Sequence, residues 1–323
     1  MEANPTLQVD TDFQRYVKSR QDNLKRHLDG GIPDYSFAMD HNARQKLNTI
    51  PGLYRFCKAC TEYVVPLERK KAEQYYMKVG PSQYPAIYDV LRKCAKTLGI
   101  GIPALYIEPT ASELNAYAYA TDDSEPLVII TSALVERFTL EELYMVIGHE
   151  CGHIHNNHVI YNTAATMLIN GGLRAGGLLA LPAAVMKLLT TSAQLALLSW
   201  SRAAEVTCDR AGVICSGGEK GAMSSFYKFL SGGILQNQEQ FDYEAVMKQY
   251  DSVQQAPVKY LELLDTHPLP VKRMFAVREF MNSETYYKWH PEQKEPDQKL
   301  YTKAELDQRC SRYISVADAK KRK

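Results

Sequence analysis

The segment VIGHECGHIHNNH (146–158) carries four histidines and one glutamate in thirteen residues. Thr139 and Glu142, upstream of it, have the spacing of a capping box, which predicts a helix that begins at Thr139 and runs through the segment. Residues four apart lie on one face of a helix. The sequence therefore places His149 and His153 side by side, and no other feature constrains the fold as strongly.

Two imidazoles on one helical face can bind one metal ion, since zinc lies about 2.0 Å from such nitrogen ligands. Glu150 lies about 100° round the helix from His149, too far to bind the same ion but near enough to reach a water molecule on it. A catalytic zinc site usually has three protein ligands, so the third must come from another segment. His155 and His158 lie about 240° and 180° round from His149 and are predicted to be polar surface residues.

The segment SWSRAAEVTCDRAGVICSGG (199–218) predicts a second helix, ended by its two final glycines. Glu205 and Asp209 are four residues apart and share a face. A solvated acidic face is the alternative, but isolated charges in such apolar sequence are expected to be buried with partners. We predict Glu205 as the third metal ligand and Asp209 as the acceptor for the outer N–H of a ligand histidine.

The remaining pattern predicts an α+β fold that is mostly helical. The segments ALYIEP, LNAYAYA and PLVIIT, rich in β-branched and aromatic residues, predict a small sheet of about three strands next to the histidine helix. Helical patterns cover 40–78 and 82–98 and return after Thr131. Strands grouped ahead of helices favour α+β over alternating α/β.

Charge and cysteine content narrow the class of protein. With 38 basic and 37 acidic residues, the net charge of +1 gives no electrostatic reason to expect a nucleic-acid partner. The N-terminus has no apolar core of a secretory signal, and seven scattered cysteines are typical of reduced thiols, so a cytoplasmic location is expected. Cys57 and Cys60 form a C-x-x-C, which we interpret as two buried thiols rather than a functional pair.

The apolar segment 159–201 carries only two charges, Arg174 and Lys187. Its uncharged runs are shorter than the roughly 20 apolar residues that a membrane helix needs. We expect two buried or hairpin helices bent at Pro182. Peripheral contact of 159–201 with a bilayer is the open alternative.

Four stretches together resemble a known family. They are HECGH (149–153), SRAAEVTCD (201–209), NAYAYA (115–120) and THPLPVKR (266–273). The chain is similar over about 80–280 to the HtpX-like and CAAX-prenyl-protease-type zinc endopeptidases, within the gluzincins. The helical segment ahead of this region resembles the soluble bacterial-type members. Cys208 departs from the alanine usual at that position.

The resemblance implies a Zn²⁺-dependent endopeptidase that hydrolyses peptide bonds with a zinc-bound water activated by Glu150, with protein quality control as a possible role. The alternatives are a membrane-associated processing protease and a non-catalytic, chaperone-like peptide-binding protein. The partner in each case is a peptide or protein. The implied organisation is an N-terminal arm (1–35), a helical segment (36–100), a zinc metallopeptidase domain (101–282) and a polar helical tail (283–323).

Four further residues are expected on the substrate side. LNAYAYA is suited to an edge strand that pairs with a peptide backbone, with Asn115 and Ala116 bracketing the substrate. His267 is either a donor to the oxyanion or a reversible plug on the zinc, and a satisfied core histidine is the competing interpretation. Arg273 is expected to anchor the loop that carries His267.

Overall fold

The computed structural model describes residues 27–29, 32–121, 124–172, 191–233 and 270–314, together with positions 242, 245–246 and 248. The helix predicted within 1–35 falls mostly outside these residues. In the first half of the chain the elements are β1 (Leu28–Asp29), β2 (Ile32–Pro33), α1 (Ala38–Asn48), α2 (Leu53–Tyr75), β3 (Met77–Val79), α3 (Pro85–Leu98), β4 (Ala104–Glu108), β5 (Ala116–Thr121) and β6 (Ser124–Thr131).

Helices form the rest of the described chain. They are α4 (Ser132–Arg137), α5 (Leu140–His155), α6 (Val159–Gly172), α7 (Thr191–Ser216), α8 (Glu219–Leu230), α9 (Pro270–Met281), α10 (Glu284–Trp289) and α11 (Lys303–Ile314), with a 3₁₀ turn at Pro291–Gln293. The predicted mostly helical α+β class is confirmed.

The main sheet has the strand order β3-β4-β6-β5. Strands β4 and β6 run parallel, whereas β3 and β5 pair antiparallel with their neighbours, so β5 forms one edge. The three predicted strands are confirmed. The fourth, β3, comes from residues that the sequence pattern assigns to a helix. Its pairing with β4, a long-range contact, outweighs the local helical pattern.

Both faces of the sheet are covered. On one face, Tyr106, Leu127 and Ile129 pack against Ala72 of α2. On the other, alternate residues such as Val128 and Ile130 join the main core with α3 and α5. This period-two alternation is the geometry of a pleated strand, and here each face meets a helix. The sheet therefore holds α5 against one face and leaves the outer edge of β5 beside it.

Helices α5 and α7 pack unusually close together because glycines line their contact. A Cβ added to Gly152 would lie 2.7 Å from the Cβ of Ala211, and one added to Gly212 would lie 2.6 Å from the carbonyl oxygen of Met145. The capping box at Thr139 is present, and α5 begins where the sequence predicts. The close approach brings the histidine face of α5 against the acidic face of α7.

A second apolar cluster lies among α1, α2, α6 and α7 and contains Cys57 and Cys60. Both side chains are fully buried and free, which confirms their interpretation as buried thiols. Of the segment 159–201, the described parts are helical, and 173–190, with Pro182, lies outside the described residues. Within the described ranges, no helix combines the length and apolarity needed to cross a bilayer.

Candidate active site

Three predicted ligands meet where α5 packs on α7. The Nε2 atoms of His149 and His153 are 3.2 Å apart. Glu205 directs Oε2 to within 3.5 Å of His149 Nε2 and Oε1 to within 3.3 Å of His153 Nε2. All three side chains are buried, and Glu205 is completely so. The sequence spacing on each helix and the close helix packing together produce this arrangement.

The separations fit a tetrahedral metal ion. Ligand atoms that lie 2.0–2.1 Å from a tetrahedral zinc ion are about 3.3 Å from one another. The two Nε2 atoms are 3.2 Å apart, and each lies near one Glu205 oxygen, His153 Nε2 at 3.3 Å from Oε1 and His149 Nε2 at 3.5 Å from Oε2, which is close to this value. Two imidazoles and a carboxylate are also a typical donor set for catalytic zinc. His149, His153 and Glu205 are therefore placed to hold one zinc ion.

The charge balance of the site also calls for a cation. Burial alone would lower the pKa of His149, but the carboxylates of Glu205 and Asp209 raise it to about 10. In the metal-free protein the proton on His149 thus adds to the positive charge of Arg273, which also contacts both carboxylates. Metal binding displaces such protons, so the ion and the proton compete for the same imidazole.

Asp209 lies behind His149. His149 Nδ1 hydrogen-bonds to Asp209 Oδ1 at 3.0 Å, the contact predicted for an acceptor of the outer N–H. Burial would raise the pKa of Asp209, but the Arg273 guanidinium and His149 hold it below its usual range. As an ionised acceptor, Asp209 fixes the tautomer of His149 that leaves Nε2 free for a metal.

Glu150, next to His149 on α5, is 6% exposed. In the described parts of the chain its carboxylate has no hydrogen-bond or ion-pair partner. Most buried carboxylates are tied down by such partners. No side chain of the described residues therefore holds the Glu150 carboxylate in place.

Cys208 offers an alternative donor, since its Sγ groups with nitrogen atoms of His149 and His153 within 4.8 Å. Only the thiolate binds zinc. Burial, followed by the charges of Glu205 and Asp40, raises the pKa of the Cys208 thiol well above its ordinary value. The thiol also contacts His158 Nδ1 at 3.4 Å. Glu205, with its carboxylate oxygens 3.3–3.5 Å from the two Nε2 atoms and in an ion pair with Arg273, is the better third ligand.

The predicted substrate-side residues lie at the edge strand. Ala116 begins β5, and both it and Asn115 are half-buried. The Asn115 side chain donates to the Tyr117 hydroxyl at 3.0 Å, and its backbone pairs with Thr131. Their contact with substrate stays a prediction. His267 lies outside the described residues, so both hypotheses for it also stay predictions.

The prediction that His158 is a surface residue is wrong. His158 is completely buried, and its Nε2 hydrogen-bonds to Asp40 Oδ2 at 3.0 Å. Helix α5 ends at His155, and Asn157 adopts a positive φ of 54°, so the helical angle used for His158 does not apply. His155 is half-buried, with Nδ1 2.8 Å from the Tyr35 hydroxyl.

Asp40 is the centre of a buried network that the sequence did not reveal. Besides His158, it accepts hydrogen bonds from Trp200 Nε1 at 2.8 Å and Thr207 Oγ1 at 2.7 Å. The His158 ring in turn packs edge-on against His153, with centroids 5.5 Å apart. Asp40 of α1 thus contacts His158, which packs against the candidate ligand His153. The sequence did carry one signal for the burial of His158: it lies between the end of α5 and the apolar start of α6 at Val159.

We expect Asp40→Ala to destabilise the protein by about 3–5 kcal/mol, because it leaves three buried donors without an acceptor. Burial would raise the pKa of Asp40, but His158 and Thr207 lower it from 3.8 to about 2. A lowered folded-state pKa stabilises the fold above pH 3.8, and this contribution, about 2 kcal/mol, is lost as the pH falls toward 2.

Urea unfolding across this pH range measures the effect. The stability difference between wild type and Asp40→Ala should shrink as the pH falls below 3.8. Asp89→Ala is the matched control, since Asp89 is 56% exposed and should change stability by less than about 0.5 kcal/mol. A difference that does not vary with pH would contradict the assigned role of Asp40.

The chain is similar to known metallopeptidases. The profile of peptidase family M48 matches residues 81–281, more than half of the chain. The plastoglobule-localized metallopeptidase 48 of Arabidopsis thaliana, a chloroplastic protein, is 29% identical over 265 residues, covering 78% of this chain and 74% of that protein. An HtpX protease homolog of Picrophilus torridus is 25% identical over 64% of this chain and 76% of its own length.

An HtpX homolog of Bifidobacterium longum is 27% identical over 48% of this chain and 56% of its own length. No solved structure gives a significant match. The profile match covers α5 and α7 with the metal-site residues, and the metal-ligand geometry described above agrees with it. The chain therefore belongs to peptidase family M48, the HtpX-like zinc metallopeptidases that hydrolyse peptide bonds.

Proposed function

We propose that this chain is a zinc-dependent endopeptidase that cleaves internal bonds of extended polypeptide segments. The observation that carries the proposal is the meeting of His149, His153 and Glu205, whose nitrogen and oxygen atoms lie 3.2–3.5 Å apart, with Glu150 next to His149 on α5. A non-catalytic, peptide-binding protein on the same fold would not need a carboxylate at position 150 that lacks hydrogen-bond and ion-pair partners in the described residues. The availability of Glu150 therefore favours catalysis over the chaperone-like alternative.

Glu150 is proposed to transfer the protons of the reaction. A bound zinc ion supplies Lewis acidity, which polarises the scissile carbonyl and lowers the pKa of water from 15.7 toward about 7. Glu150 accepts the proton of the attacking water and returns it to the departing amine nitrogen. Asp209 keeps His149 in its working tautomer throughout. His267 is proposed to donate to the oxyanion or to cap the site reversibly.

The substrate is proposed to pair with β5. This strand has β6 on one side, and in the described residues nothing pairs with its other side. An exposed strand edge can add an extended peptide through main-chain hydrogen bonds, which gives affinity with little dependence on side chains. Asn115 and Ala116, at the start of β5, would bracket the bound segment. Such a mode suits unfolded proteins of varied sequence and hence a role in protein quality control.

Cleavage of casein and of a mixed peptide library tests the proposal. We expect fragments with new internal termini, loss of cleavage after treatment with the chelator phenanthroline, and recovery when zinc is restored. The chelator acts because the metal must be present to polarise the carbonyl. Cleavage that survives complete zinc removal, or products trimmed only from their ends, would contradict a zinc endopeptidase.

A cytoplasmic location is proposed on the basis of the cysteines. All seven are free thiols, and six of them are buried, which suits a reducing compartment.

The second candidate is a protease attached to a lipid surface. The chloroplastic relative is named for plastoglobules, and the segment 159–201 is strongly apolar in this chain. Flotation with liposomes separates the two, since a peripheral protein floats with lipid and leaves it in a carbonate wash.

A further inference from the structure

Arg273 reaches the metal site from α9, a helix far along the chain from both ligand helices. Its Nε donates to Asp209 Oδ2 at 2.9 Å, and its Nη2 donates to Asp209 Oδ1 at 2.6 Å. The remaining nitrogen, Nη1, is 3.1 Å from Glu205 Oε2. One guanidinium therefore bridges the proposed metal ligand and the carboxylate that orients His149.

The contact with Asp209 is a two-point one, which fixes the plane of the carboxylate as well as its charge. Asp209 Oδ1 is also the atom that accepts the hydrogen bond from His149 Nδ1, at 3.0 Å. If the carboxylate could rotate, this hydrogen bond would lose its direction and the imidazole would be less firmly held. Arg273 therefore acts on His149 mainly through Asp209, and its Nη2 also lies 3.3 Å from His149 Nδ1.

The contact with Glu205 has a different effect. Arg273 occupies the side of Oε2, whereas Oε1 lies 3.3 Å from His153 Nε2. Glu205 and Asp209 lie one turn apart on α7, and both are fully buried. Two such carboxylates repel each other in a medium of low dielectric unless a cation lies between them. Arg273 provides that cation before any metal is bound.

The position of Arg273 is itself fixed. The guanidinium lies 5.7 Å from the centroid of the Phe226 ring on α8. The neighbouring α9 residues Met274, Phe275 and Val277 are buried in the main core. A lysine at this position would keep the charge but could not make the two-point contact together with the contact to Glu205.

We propose that Arg273 is a positioning residue that sets the metal ligands before zinc binds, by bridging Asp209 and Glu205. This inference rests on the proposed zinc site. It goes beyond that site because it states that Arg273 of α9, which is not a metal ligand, contributes to its zinc affinity. Substitution of a group that orients a metal ligand typically lowers metal affinity by about 10–100-fold. Arg273 should fall in this range although it does not touch the metal.

The test is competition between the metal-free full-length protein and a chromophoric zinc chelator, with no substrate present. We expect Arg273→Met to weaken zinc binding by about 10–100-fold and Arg273→Lys by about 10-fold. Arg278→Met is the matched control, because Arg278 lies on the same helix, is 44% exposed and should leave zinc affinity unchanged. Arg273→Lys keeps the test available if the methionine variant does not fold.

A double-mutant cycle with Asp209→Asn separates positioning from a general structural role. If Arg273 acts mainly through Asp209, Arg273→Met should cost less than about 3-fold once Asp209 is neutral, since the two effects are then not additive. Folded variants with unchanged zinc affinity, or fully additive losses, would overturn the proposal. Zinc binding as expected without peptide cleavage would instead contradict only the proposed function.

Discussion

Glu150→Gln is expected to lower kcat/KM for peptide cleavage by about 10²–10⁴-fold while the protein keeps its zinc. Glutamine has the size and shape of glutamate but cannot accept a proton from water. Glu150 has no hydrogen-bond or ion-pair partner in the described chain, so the substitution removes no structural contact there. The loss should therefore appear in turnover and not in stability or metal content. Cleavage of a quenched fluorescent peptide by zinc-loaded protein measures it.

Glu141→Gln is the matched control for this experiment. Glu141 lies on the same helix, α5, in its first turn and is exposed. Its substitution should change kcat/KM by less than about 2-fold, the size of a weak helix-dipole effect. Equal cleavage by wild type and Glu150→Gln would contradict the assignment of Glu150 as the general base.

Glu205→Ala is expected to weaken zinc binding by at least about 100-fold and to abolish cleavage. Substitutions of groups that merely orient a ligand already cost about 10–100-fold, and Glu205 is a proposed ligand itself. The change also leaves His149 and His153 as the remaining ligands of the proposed set, one fewer than a catalytic zinc site usually has. Zinc content after exhaustive dialysis, measured by plasma mass spectrometry, gives the result directly.

Glu219→Ala controls for the loss of a carboxylate near α7. Glu219 lies at the start of α8, and its side chain is 65% exposed. This variant should retain the zinc content of wild type. Full zinc retention by Glu205→Ala would show that the third ligand is another residue.

The parts of the site that sequence reasoning could predict rest on local signals. The capping box at Thr139 sets the start of α5, and the four-residue spacing then fixes the pairing of His149 with His153. Glu205 and Asp209 could be assigned because isolated carboxylates in an apolar helix need buried partners. Each of these inferences depends on residues within two helical turns of one another.

The parts that could not be predicted depend on contacts distant in sequence. Asp40 and His158 are 118 residues apart, and neither carries a local signal for the other. The turn at Asn157 ends the helical geometry from which the direction of the His158 side chain was predicted. Strand β3 forms because β4 offers it a partner, although its own sequence continues a helical pattern. The prediction that Arg273 anchors the His267 loop concerns residues outside the described ranges. Its contacts with Asp209 and Glu205 require the docked position of α9, for which the sequence carries no local signal.

X-ray absorption at the zinc edge of the loaded wild-type protein tests the central claim most directly. Coordination by His149, His153 and Glu205 predicts nitrogen and oxygen neighbours at about 2.0–2.1 Å, with the scattering pattern of two imidazoles. A sulfur neighbour at about 2.3 Å would mean that Cys208 takes the place assigned to Glu205, and it would contradict the proposed site.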